Sequence, residues 1–251
     1  MTSRSAYLLF SLATIFVASL FSATPALANF EYSPIVAELT TTGKTSFLLT
    51  KVSSHDEADI PVIVRIFERT MTSKGEEVRT PTTDLTVFPT QFILPARGQK
   101  FLKVVWKGPA DIPFEKSFRI LVEHAPVDLN ARKQGAASIR MMTNYSGMIY
   151  VNAQSSAANV LLKSLTKKPK QRSLQLEIAN DGDRHLVLTE PVLEVACKGS
   201  TKTPFILKGP ALKNLEGVNM LARSKFETTA SAPANLPDCP EFTWQLRYSL
   251  K

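Results

Sequence analysis

The residues that could perform chemistry are few and scattered. His55, His124 and His185 stand far apart in the sequence. None falls in an H-x-x-x-H or H-E-x-x-H spacing that would aim two imidazoles at one metal. His124 lies on the apolar parity of a strand-like run, where a hydrogen-bonded structural histidine is the expected role. Asp181 and Asp183 flank Gly182, but the remaining ligands of a calcium loop are missing. No G-x-S-x-G, phosphate-binding loop or G-x-G-x-x-G occurs. An enzyme is therefore not expected, and no cofactor or metal is implied.

Cys197 and Cys239 are the only cysteines. In an oxidising compartment, two cysteines in one domain imply a single disulfide; two buried free thiols are the alternative. A closed loop of this length is worth about 4 kcal/mol by chain entropy. Without a supporting histidine or cysteine cluster the pair makes a poor zinc site.

The compartment follows from the first residues. Arg4 gives a positive start, residues 7–21 are mostly apolar, and Ala26-Leu27-Ala28 forms an A-x-A cleavage site before Asn29. Ser11, Ser19 and Ser22 interrupt the apolar run and Pro25 closes it, which favours a signal peptide over a membrane anchor. Cleavage after Ala28 would leave 223 of the 251 residues and, because Arg4 is the only charge removed, +7 of the net +8. No other stretch reaches the ~18 apolar residues of a spanning helix. The expected product is exported, not inserted in the membrane, and long enough for two domains. Its basic residues are dispersed; Lys167-Lys168-Pro169-Lys170 is the one dense run, as in a solvated turn. Without aromatic–basic interleaving no nucleic-acid partner is expected, whereas a basic surface favours acidic partners by steering.

Helical periodicity is nearly absent. Short alternating runs between turn signals predict β-sandwiches. Strands are expected at 30–39, 46–53, 61–70, 85–88, 100–107, 117–124 and 138–151, and, after a small polar linker at 152–159, at 160–165, 174–180, 185–194, 203–207, 219–228 and 241–250. Val62, Val64 and Ile66 share one face of their strand; Leu102, Val104 and Trp106 alternate with lysines; Phe118, Ile120 and Val122 alternate with Arg119 and Glu123. Such strands have a core face and a polar face.

The stretch 138–151, SIRMMTNYSGMIYV, breaks that rule. Ile139, Met141, Tyr145, Ile149 and Val151 share one parity, and Met142, Met148 and Tyr150 the other. A strand apolar on both faces needs covering on both. Arg140 is its one charge, so it is a poorly protected edge and a good template for another strand.

The order of residues then resembles a known family. Phe88-Pro89-Thr90-Gln91-Phe92-Ile93-Leu94-Pro95-Ala96-Arg97-Gly98-Gln99-Lys100 is similar to the P-x-x-x-x-L-P-A-G signature of periplasmic pilus-assembly chaperones. Ile112-Pro113-Phe114-Glu115-Lys116-Ser117-Phe118 resembles the family's P-x-x-x-E-S-x-[FY] run, and Leu176-Glu177-Ile178-Ala179-Asn180 its L-x-[VI]-x-N strand. The resemblance implies two immunoglobulin-like domains and donor-strand complementation, in which the seventh strand of the first domain fills the groove of a subunit lacking a strand. Here that strand is SIRMMTNYSGMIYV, and parity and position nominate Ile139, Met141, Thr143 and Tyr145 as the groove-filling row. Methionine suits a donor that must fit several guests. Well-known members anchor the guest's C-terminal carboxylate with an arginine in the first strand and a lysine at the end of the seventh. This chain has Ile35-Val36-Ala37-Glu38-Leu39 and Ser146-Gly147-Met148-Ile149 there, so it resembles more closely the branch that assembles class-5-type fimbriae. Arg65 and Lys51 are candidate substitutes.

Sequence and resemblance together predict an all-β chain of two immunoglobulin-like β-sandwich domains joined by a short linker: a signal peptide at 1–28, an N-terminal domain at 29–152 and a C-terminal domain at 153–251. The expected function is a periplasmic chaperone that stabilises pilin-like fimbrial subunits and delivers them to an outer-membrane usher. The alternative is a secreted structural or adhesive β-sandwich, itself a surface subunit.

Overall fold

A computed structural model describes residues 30–127, 142–153, 157–167 and 171–249. The expected signal peptide lies outside the described residues. None of the described helices is long and apolar enough to cross a membrane.

The first half supplies ten strands: β1 (Phe30–Ser33), β2 (Val36–Thr40), β3 (Phe47–Ser54), β4 (Ile60–Met71), β5 (Glu77–Pro81), β6 (Leu85–Phe88), β7 (Gln91–Leu94), β8 (Gln99–Trp106), β9 (Lys116–His124) and β10 (Asn144–Asn152). They form a four-stranded sheet, β1-β3-β8-β6, and a six-stranded sheet, β2-β10-β9-β4-β5, in which β7 also pairs with β4. The expected alternation holds: Val62 and Val64, Leu102, Val104 and Trp106, and Phe118, Ile120 and Val122 all point into one core with Phe30, Tyr32, Ile149 and Val151. Fully burying each such large apolar side chain contributes about 1.5–3 kcal/mol.

Two departures have physical causes. The single strand expected at 30–39 is two strands in two sheets. Pro34, with no N–H to donate, breaks the ladder; β1 pairs antiparallel with β3, and β2 pairs parallel with β10. The second departure is β5, which lacks a core-facing row because none of its five residues is buried, so its sequence has no period to detect.

The second half contains β11 (Val160–Lys167), β12 (Ser173–Asn180), β13 (Leu186–Val187), β14 (Thr189–Cys197), β15 (Phe205–Lys208), β16 (Asn219–Met220), β17 (Lys225–Ser231) and β18 (Phe242–Ser249). Sheets β11-β12-β17 and β15-β14-β18, with the pair β13-β16, enclose a separate core that includes Leu174, Ile178, Leu193, Val195 and Leu212. Trp244 Nε1 donates to the Leu162 carbonyl at 2.9 Å, tying β18 to β11 across the sandwich. The expected strand at 185–194 divides at Leu188, whose N–H goes to the Val218 carbonyl. Cys197 and Cys239 are disulfide-bonded, with Cα atoms 5.8 Å apart.

Candidate functional site

All of β10 but its last residue is paired with β9, from Asn144 opposite Glu123 to Val151 opposite Lys116. On its other side it is paired only from Met148 onward, where β2 begins with Val36. Asn144–Gly147 therefore has an unpartnered edge among the described residues. A lone row of backbone donors and acceptors beside a paired strand is a template for strand addition.

The side chains of β10 separate by parity. Tyr145, Gly147, Ile149 and Val151 face the domain's own core. At Gly147 the strand runs so close to its neighbours that an added Cβ would lie 2.9 Å from both Ile120 Cγ2 and Tyr32 Cε1, and 3.1 Å from the Ile35 carbonyl. Asn144 and Ser146 are exposed on the other face, as is Met142 just before the strand. Met148 and Tyr150 share that face; Met148 is half-buried, its sulfur 3.6 Å from Arg69 Nη1, and Tyr150 is covered by the second half of the chain. Tyr150 is fully buried and lies flat on the His185 ring, centroids 3.7 Å apart. Its hydroxyl accepts from Asn219 Nδ2 at 2.6 Å. Among the described residues, the run is covered on both faces at Tyr150, and its edge at Asn144–Gly147 is open.

The locked end is reinforced electrostatically. Glu115, buried before β9, accepts from the His185 backbone N–H at 3.0 Å, and its carboxylate oxygens lie 2.8 and 2.9 Å from His185 Nδ1. Arg184 donates to both oxygens of Glu38 on β2 at 2.9 and 2.8 Å. Burial raises the Glu38 pKa, but the Asn152 hydrogen bond and Arg184 outweigh it, and the net shift is downward. Lys74 pairs with Glu227, and the Glu227 N–H donates to the Ser73 carbonyl. Deeper on the same face three guanidiniums, Arg69, Arg79 and Arg119, converge on Glu77. Burial opposes its ionisation, yet the arginine hydrogen bonds and charges prevail and hold it at about 2.

The sequence-nominated residues fall as follows. Ile139 and Met141 lie outside the described residues. Thr143 is half-buried at the foot of β10, and its carbonyl accepts from the His124 N–H at 3.3 Å. Tyr145 turns inward: its ring packs on Phe30 at 5.3 Å and its hydroxyl donates to the Phe30 carbonyl at 2.7 Å. Burial, and then the Glu31 charge, raise its pKa. Arg65 and Lys51 are not brought together. Arg65 is on the outer face of the six-stranded sheet, in the cross-strand row of Ser146 and Leu121, paired with Glu123 at 2.5 Å. Lys51 is exposed on β3 in the other sheet. A shallow cavity of about 460 Å³, lined by Ile63, Arg65, Glu123, His124, Met142 and Asn144, adjoins the open edge. Asp181 and Asp183 are ion-paired with Lys163 and Arg223. Sequence reasoning missed Tyr150, His185, Asn219 and Glu115 as a cluster; the apolar tyrosine on the outward parity of β10 was the available signal.

No family model and no curated protein matches this sequence. Solved structures do. The class 5 fimbriae chaperone CfaA matches with a TM-score of 0.55 at 18% identity, over 88% of this chain and 100% of that one. The chain has the two-domain fold of the fimbrial chaperones. A chain of a chaperone–tip adhesin complex described as vital for synergistic activation of CFA/I fimbriae biogenesis matches with a TM-score of 0.57 at 16% identity, over 89% and 99%. A chain of the CsuC–CsuE chaperone–tip adhesion subunit pre-assembly complex, from the archaic chaperone–usher Csu pili of Acinetobacter baumannii, matches with a TM-score of 0.56 at 12% identity, over 87% and 98%. In the fimbrial chaperone fold of this chain, the locked and open parts of β10 meet at Gly147.

Proposed function

We propose that this protein is a periplasmic chaperone of fimbrial subunits that acts by lending a strand, without covalent chemistry. The observation that carries this reading is the unpartnered edge of β10 at Asn144–Gly147, held rigid by β9 on one side and by the Tyr150–His185 junction at its end. A guest's strand hydrogen-bonds along this edge, and the preceding residues, including Ile139, Met141 and Thr143, fill its groove. Tyr145 marks where the row returns to the chaperone's own core, so it orients the donor strand. Arg65, in the row of Ser146, is the nearer of the two candidate anchors for a guest carboxylate; Lys51 sits on the far sheet. The signal peptide at 1–28, the division into domains at 29–152 and 153–251, and delivery to an outer-membrane usher belong to the same reading. The fimbrial chaperone fold supports it, because structures of that fold include chaperone–subunit assemblies.

Native mass spectrometry of the chain, tagged at its C-terminus and recovered gently from its host, tests this. The expected species is a one-to-one complex with a small exported subunit. Homopolymers would favour a surface subunit instead, and a bare monomer while fimbrial subunits are being made would overturn strand donation.

A further inference from the structure

The two sandwiches differ by one strand. In a constant-type immunoglobulin domain the sixth strand lies between the third and the seventh. β9 holds that place in the first domain, with β4 on one side and β10 on the other. β18 holds it in the second, paired with β14, and no described residue pairs with its other edge. The Lys198 N–H donates to the Glu241 carbonyl at 3.0 Å. By alternation Thr243, Gln245 and Arg247 turn their backbone groups to β14, and Phe242, Trp244, Leu246 and Tyr248 turn theirs to the open side. Other edges of this domain are blunted. β15 has only four residues. On β11, the Leu162 and Val160 carbonyls accept from Trp244 Nε1 and the Tyr248 hydroxyl, at 2.9 and 3.3 Å. On β17, the Glu227 N–H donates to the Ser73 carbonyl, and the Thr229 carbonyl accepts from Asn214 Nδ2. β18 has no such protection: Phe242–Ser249 contains no proline or lysine, and Arg247, its one charge, is paired with Glu194. An unprotected edge is a template for another strand.

We infer that two copies of this chain join here, β18 antiparallel to β18, about a two-fold axis at Gln245. The product is one continuous sheet, β15-β14-β18-β18-β14-β15. What the edge offers selects its occupant. Trp244 and Tyr248 already close the seam between β18 and β11, so incoming side chains find no pocket and pairing rests on backbone hydrogen bonds. In water the net gain from one such bond is about the entropy lost in fixing one residue. A flexible segment therefore gains nothing, whereas a strand already fixed in a sheet has no such loss. A second β18 is such a strand, and its open groups have the matching parity. Phe242 then pairs with Tyr248 and Trp244 with Leu246, apolar against apolar. On the outer face Gln245 meets Gln245 and Arg247 meets Thr243. The two Arg247 residues stand four positions apart, ~14 Å along the strands; the next allowed register toward the C-terminus halves that distance, and like charges disfavour it. One strand pair buries less than the ~800 Å² per partner of a standard interface, so the dimer is weak and forms as concentration rises. β10 takes no part, so each copy keeps its open edge for a guest, and the inference stands apart from strand donation.

The test is sedimentation equilibrium and amide hydrogen exchange on the full exported chain, from micromolar to millimolar concentration. A monomer–dimer equilibrium is expected. Protection should rise with concentration at the Trp244, Leu246 and Tyr248 amides and stay constant at Thr243, Gln245 and Arg247, which β14 already holds. Gln245→Lys and Gln245→Glu each set like charges on the axis and should weaken the dimer at least tenfold while the chain stays folded; mixing the two variants should restore it. A chain still monomeric at millimolar concentration, protection rising at both sets of amides alike, a dimer indifferent to Gln245→Lys, or a mixture no stronger than either variant alone would overturn the inference. Native mass spectrometry of Gln245→Lys should still find the guest complex, so failure here is distinguishable from failure of strand donation.

Discussion

Tyr150 and His185 stack with ring centroids 3.7 Å apart and planes 7° from parallel, joining the last strand of the first domain to the second. Because Tyr150 is also held by Asn219, and His185 by Glu115, one aromatic contact fixes both ends of a four-residue junction. Tyr150→Ala should cost about 3–5 kcal/mol and widen the distribution of domain orientations. Tyr150→Phe should keep the stack and lose only the Asn219 hydrogen bond, about 1 kcal/mol. Urea unfolding with small-angle X-ray scattering checks both; an unchanged scattering profile for the alanine variant would show that the stack does not set domain orientation.

Glu77 predicts acid sensitivity. Its folded pKa of about 2 is below the ~4.3 of an unfolded glutamate. The resulting stabilisation is complete above the unfolded value and disappears as pH falls towards 2, with an upper bound of about 3 kcal/mol. Glu77→Gln should therefore flatten the stability–pH curve between about pH 5 and pH 2. The same slope in both proteins would assign the acid response to other carboxylates.

The donor row predicts a division between binding and folding. Met141→Asp should lower recovery of the guest complex with little change in thermal midpoint. Tyr145→Asp should lower both, because its ring packs on Phe30 and its hydroxyl serves the Phe30 carbonyl. Guest recovery by pull-down beside differential scanning calorimetry separates them; full recovery with folded Met141→Asp would remove that residue from the row.

Gly147 tolerates no side chain where β10 passes the Ile35 carbonyl. Gly147→Val should destabilise the first domain by about 1–3 kcal/mol through overpacking and loosen the β2–β10 pairing. Hydrogen exchange at the Met148 amide, which donates to the Ile35 carbonyl at 2.7 Å, reads this directly; unaltered protection would mean the strand shifts without loss.

Replacing both Cys197 and Cys239 by serine should cost about 2–4 kcal/mol and act on the second domain alone. Two unfolding transitions, of which only one moves, are expected by calorimetry. A shift in both would mean that the domains unfold as one unit.

The strands that could be foreseen are those whose burial alternates: 101–106 in β8, 62–65 in β4 and 118–123 in β9. β5 could not, since its residues meet no core. The division of the first strand at Pro34 did leave a trace: the buried positions are Phe30 and Tyr32 before it and Leu39 after it, so the parity flips across the proline. The open edge was legible as a double-faced apolar run with one charge; the part of that run covered by His185 and Asn219 was not, because those partners lie 35 and 69 residues away along the chain and no local pattern encodes them. The pairing of Arg65 with Glu123 was not legible either, since the two are 58 residues apart and share a face only once β4 lies beside β9. Lys51 was nominated as lying on a neighbouring strand, and the sheet order puts it on the other side of the sandwich.

The place where β1 leaves one sheet and β2 enters the other sets a gauge. β2 begins at Val36, and with parallel pairing each residue it gains or loses at that end closes or opens one residue of β10, starting from Met148. Pro34 is therefore the stop that meters the length of backbone on offer. Moving it one position toward the N-terminus would narrow the berth from that end, and moving it the other way would lengthen it.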